Sequence, residues 1–110
     1  MRPKGTRHWT NQTSEDQSIA LLSTYGGSSG QLYSIDISWV SQAAGDRINI
    51  KESATGAIVY EYIMMTAAGS FSAHLPSVGL YFETGLYFNP NVSSGTANNL
   101  KVNIGWDINN

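Results

Sequence analysis

The chain has 110 residues, which allows one domain with one modest core. Apolar residues make up 41% of it and charged residues only 13%, so Ser, Thr, Asn, Gln and Gly must carry much of the surface polarity. A net charge of −2 argues against nucleic acid as a partner, and the absence of cysteine excludes disulfides and thiolate metal sites.

Residues 1–16 (MRPKGTRHWTNQTSED) stand apart from the rest. They hold three of the six basic residues and show no hydrophobic periodicity, with Trp9 as their only large apolar side chain. They read as an extended N-terminal arm ahead of a β domain spanning 17–110. Such an arm is either a loose tail with solvated charge or a segment that orders on a partner. In the second case Arg2, Lys4, Arg7, His8 and Trp9 are its contacts. No apolar stretch follows the basic start, so no signal peptide is expected. No apolar run is longer than that at residues 57–60, which is far too short to span a bilayer, and no membrane partner is expected.

Residues 17–25 (QSIALLSTY) fit a strand or a short helical turn. The GGSSG stretch at 26–30 reads as a flexible loop. It lacks the Lys-Ser/Thr and helix that a phosphate-binding loop needs. Residues 31–41 alternate strictly: Tyr33, Ile35, Ile37 and Trp39 on one face, Ser34, Asp36 and Ser38 on the other, with Leu32 and Val40 at the ends of the polar face. Period two is the mark of a half-buried strand. A turn at 43–46 leads into a return strand over 47–53, with Ile48 and Ile50 inward.

Residues 57–66 (AIVYEYIMMT) read as a long strand, and 70–75 as a short one closed by Pro76. Two strand segments, 78–83 and 86–88, meet at a bend at Thr84-Gly85. They carry two copies of Gly-Leu-Tyr-Phe only six residues apart. Repeat folds use periods of about 20–50 residues, so the phrase reads as one folded corner in which Leu and Phe bury. The alternative is a ligand platform formed by Tyr81 and Tyr87. A polar loop over 89–98 precedes a last strand, 99–107, with Leu100, Val102, Ile104 and Trp106 inward and Lys101, Asn103 and Asp107 outward. The pattern gives about seven or eight strands at sandwich-like spacing. The expected fold is all-β: a two-sheet antiparallel sandwich of jelly-roll or Greek-key type.

No chemistry-bearing constellation is evident. His8 and His74 are far apart and not flanked by carboxylates, so no metal or other cofactor is expected. Asp36 and Glu61 fall on polar strand faces and could oppose one another across a sheet, but a solvated face explains them. No nucleophile elbow or nucleophile–base pair can be named, so catalytic residues are expected to be absent. Two glycosylation-type triplets, at 11–13 and 91–93, are common accidents in Asn- and Ser-rich sequence. Six tyrosines exceed the need of one small core, which hints at a binding surface.

Residues 46–107 contain Pro76, then Phe82-Glu83-Thr84-Gly85-Leu86-Tyr87, then Gly95 and the alternating strand 100–106, with an earlier Thr55-Gly56 turn. This pattern resembles small virion structural proteins of tailed bacteriophages. The resemblance implies a jelly-roll-like component that decorates or cements a capsid, often as a trimer, or sits in the neck or tail. Its partners would be capsid or other virion proteins and further copies of itself, and its location the virion. A carbohydrate-binding β-sandwich serving host recognition is the alternative.

Overall fold

A computed structural model describes residues 7–12, 16–26, 29–75, 79–92 and 99–109. Nine strands account for most of them: β1 (Arg7–Gln12), β2 (Gln17–Leu21), β3 (Ser29–Trp39), β4 (Arg47–Lys51), β5 (Ile58–Ile63), β6 (Gly69–His74), β7 (Leu80–Phe82), β8 (Gly85–Asn91) and β9 (Leu100–Asn109), with one helical turn, α1 (Leu22–Tyr25), after β2.

The strands form two antiparallel sheets. One has the order β1-β9-β3-β6, with β7 beside β6 on the same edge of β3; the other has the order β2-β8-β4-β5. The chain is in effect one long hairpin. β4 pairs β5 at its tip, β3 pairs β6 and β7, β2 pairs β8, and β1 pairs β9. Two further pairings, β3 with β9 and β4 with β8, roll the hairpin up. Eight strands rolled in this way, with one extra short strand, are a jelly roll. The expected two-sheet sandwich is therefore the fold.

Period-two burial builds the core. Ile35, Ile37 and Trp39 of β3 face Ile104, Val102 and Leu100 of β9 in direct register, and all six are buried. Ile48 and Ile50 of β4 and Leu86 and Phe88 of β8 come from the opposite sheet. Leu32 was expected at the end of the polar face but is fully buried. The cause is a register shift between Leu32 and Ser34 in the pairing with β9. One extra residue in a bulge inverts the alternation, so an even-numbered position joins the odd-numbered core set.

The N-terminal segment also differs from expectation. Arg7–Gln12 is not a free arm but an edge strand, paired in unbroken register from Arg7↔Trp106 to Gln12↔Lys101. Trp9 drives this: it is half-buried, packs on the core, and lies 5.5 Å from the Phe88 ring. One large aromatic can hold a short strand whose flanking residues are polar.

The two Gly-Leu-Tyr-Phe phrases belong to different sheets. β7 runs beside β3 and β8 beside β4, and the chain crosses between sheets at Glu83 and Thr84. Both crossing amides donate to Glu52 Oε1 at 2.8 Å, which fixes the corner. Gly79 adopts φ +67°, a left-handed conformation that favours glycine. A Cβ on Gly85 would overlap the Ala20 carbonyl. Each phrase thus needs its glycine for a separate backbone reason. β8 also runs further than expected, through Pro90. The pairing with β2 begins at Phe88, so Pro90 lacks a β2 partner and its missing N–H breaks no ladder there.

Candidate binding surfaces

The edge between β5 and β6 is closed by aromatic side chains. Tyr62 stacks on Phe71 at 4.2 Å between centroids, Tyr60 lies 6.3 Å from Phe71, and Trp39 lies 5.6 Å from Tyr62. Trp39 Nε1 donates to the Thr66 carbonyl at 3.0 Å, which ties the β5–β6 connection to the core. Burial raises the Tyr60 phenol above its usual value of 10.0, and neighbouring Tyr62 adds to the effect.

β5 is the outermost strand of its sheet. On and just after it, Ile58 is 53% exposed, Ile63 39% and Met65 74%. Glu61 lies between the isoleucines and pairs with Arg47 at 3.6 Å, at a site wet enough that the ion pair contributes little. Edge strands are guarded against pairing with another chain by charged side chains, lysine above all, by proline or by bulges. The β5 sequence IVYEYI has no lysine or proline; its one charge is Glu61, and its pairing with β4 shifts register between Ile50 and Lys51.

The outer face of the larger sheet is different in character. Register places polar side chains in rows across its strands. His8, Gly105, Ser34 and His74 form one row, and Thr10, Asn103, Asp36 and Ser72 the next. Lys101, Ser38 and Ser70 follow on three of the strands. Thr10 Oγ1 donates to Asn103 Oδ1 at 3.0 Å. Over the second and third rows lies a shallow trough of about 280 Å³. The sequence had shown Ser34, Asp36, Ser38, Lys101 and Asn103 as outward-facing, but it gave no face to His8 or Thr10 and did not show which strands were neighbours, so the rows were invisible in it.

Arg7, at the start of β1, reaches Asp107 at 3.7 Å and lies over the Trp106 ring at 5.7 Å from its centroid. It is engaged within the fold. His8 is exposed at the rim of the outer face, whereas Trp9 is directed to the core. Arg2 and Lys4 lie outside the described residues. Tyr81 is exposed on β7 of the larger sheet, while Tyr87 is half-buried on β8 of the smaller one, opposite Lys51. Each tyrosine sits between side chains packed on or in the core, so they point away from opposite faces and form no common platform. Asp36 and Glu61 likewise lie on different sheets and do not oppose one another. Among the described residues no group of three or more His, Asp or Glu could hold a metal ion. No helix among them is long and apolar enough to cross a membrane.

No protein-family model matches the chain, and no curated protein matches its sequence. Several solved structures resemble its fold loosely. The extra small virus particle of the giant freshwater prawn Macrobrachium rosenbergii matches with a TM-score of 0.43 and 9% identity over 94% of this chain and 76% of that one. FlgD from P. aeruginosa gives 0.43 and 17% identity over 90% and 72% of the two chains. A family 43 arabinoxylan arabinofuranohydrolase from Bacillus subtilis gives 0.39 and 14% identity over 93% of this chain but 24% of its own.

Proposed function

We infer that the chain is a non-enzymatic virion structural protein of a bacteriophage, a capsid decoration or cement protein that docks on the assembled head. The observation that carries this reading is the β5 edge, where Ile58 and Ile63 stand exposed on a strand without proline or lysine and Met65 stands exposed just after it. Exposed apolar groups in series on an unpaired edge favour a protein neighbour over water. The jelly roll supplies a rigid body on which that edge is held, an architecture that capsid domains use. Docking is by shape and burial, and stabilisation of the shell follows from mass action: saturation at a hundredfold over Kd contributes about 2.7 kcal/mol per site. A homotrimer is the assembly this reading expects.

The test is direct. Purified protein is run on a sizing column with light scattering, and is then sedimented with phage heads that lack it. The reading expects an oligomer and saturable co-sedimentation. A strict monomer that stays in the supernatant overturns it.

A further inference from the structure

The trough on the outer face of the larger sheet is lined by polar residues together with Ile37. Its centre is the row Thr10, Asn103, Asp36 and Ser72, one residue from each of four adjacent strands. Neighbouring strands lie about 5 Å apart and same-face residues along a strand about 7 Å apart, so the row and its flank of Lys101 and Ser38 form a lattice of polar groups. Three of its lining residues, Ser38, Ser70 and Ser72, carry short side chains, and the longer Lys101 lines it as well.

The groups are complementary in type. The Thr10–Asn103 hydrogen bond occupies the amide oxygen of Asn103, which directs its NH₂ group away from Thr10. Asp36 is half-buried and offers two acceptor oxygens. Lys101 supplies a flexible donor, and the serines supply hydroxyls that donate or accept. One acid and one base leave the lattice with no net charge. A ligand that matches it must present donors and acceptors side by side, and must itself be neutral. Adjacent hydroxyls on a sugar ring do this, each donating to a carboxylate while accepting from an amide or ammonium.

We propose that this trough binds a neutral saccharide, with Asp36 accepting from ring hydroxyls and Asn103 and Lys101 donating to them. The site is distinct from Tyr81 and Tyr87 and is independent of the docking edge on β5. Its open shape suits a stretch of glycan chain running across the strands, at an affinity near millimolar, where few groups are desolvated.

The test is a proton–nitrogen NMR titration of the full chain with neutral tetrasaccharides of glucose, mannose, galactose, xylose and N-acetylglucosamine, alongside a sialylated glycan and a short mixed-sequence peptide. At least one neutral tetrasaccharide is expected to shift the amides of Asp36, Ser72, Lys101 and Asn103 by about 10 mM ligand. Asn103→Ala and Asp36→Asn should each weaken binding about tenfold, the loss of one good hydrogen bond. Ser72→Trp should abolish it by filling the floor, with the thermal melt of each variant showing that the fold is kept. The proposal is overturned if no neutral sugar shifts these amides, if the peptide or the sialylated glycan alone does, or if folded Asn103→Ala and Ser72→Trp bind like the unmodified protein.

Discussion

Gly30 offers the sharpest test of how the larger sheet is put together. The residue belongs to a serine–glycine stretch that composition marks as a loop, yet in the fold it is a buried member of β3, paired with Phe82 on one side and Ile108 on the other. A Cβ at this position would stand 2.5 Å from Phe82 Cζ and 2.6 Å from the Asp107 carbonyl oxygen. Both contacts must open beyond 3.0 Å, a retreat of 0.5 and 0.4 Å respectively. Neither neighbour yields easily, because Phe82 is fully buried and the Asp107 carbonyl is backbone of the central strand β9. Overpacking of this kind costs about 1–3 kcal/mol, and the backbone contact puts Gly30→Ala near the upper end. In a domain of this size a loss of about 3 kcal/mol lowers Tm by roughly 10–15 °C. Urea denaturation with matched m-values is the assay. Phe82→Leu, made as a second variant, removes the ring contact but not the carbonyl contact, so the double variant should lose less than the sum of the singles. Gly45→Ala is the control: its φ is +96° with nothing within 4 Å, so only backbone strain of about 1 kcal/mol applies. If Gly30→Ala falls within about 0.5 kcal/mol of the unmodified protein, the packing of β7 against β3 is wrong.

Trp9→Ala should destabilise the fold by about 2–3 kcal/mol in thermal or urea melts, because the ring packs on Phe88 as part of an integral strand; a free arm would lose nothing. Glu52→Ala removes the acceptor of the Glu83 and Thr84 amides, and should lower stability by about 1–2 kcal/mol and speed amide exchange at those two residues. Tyr60 carries a raised pKa, so its folded state disfavours the phenolate. Its contribution to stability is complete below the free-tyrosine value of 10.0 and is lost as pH climbs through the higher folded value; Tyr60→Phe should flatten that alkaline decline in stability.

The β body was largely legible because its code is local. Alternation over 31–41 and 99–107 named Ile35, Ile37, Trp39, Leu100, Val102, Ile104 and Trp106 as core, and all are buried. Leu32 was missed because a bulge shifts parity, and a bulge is set by the pairing strand β9 and not by the residues of β3. β1 was missed for a related reason. A strand whose only core anchor is Trp9 has no alternation to detect, and its partner lies 93 residues away at Asn103. The separation of Tyr81 from Tyr87 was not legible because a six-residue spacing cannot show that the chain changes sheets between the two tyrosines. The trough escaped notice because its residues come from four strands, and only the registers assemble Thr10, Asn103, Asp36 and Ser72 into a row. Local pattern fixes which face a residue takes; non-local pairing decides its neighbours there.

The claim that this jelly roll works by docking through its β5 edge meets its most direct test in co-sedimentation of the purified chain with phage heads, comparing it with the Ile58→Lys/Ile63→Lys variant. Both side chains are exposed, so the variant should keep its melting temperature within a few degrees. The account predicts saturable pelleting of the unmodified chain and its loss in the charged variant. Equal pelleting of the two proteins, or none by either, would contradict it.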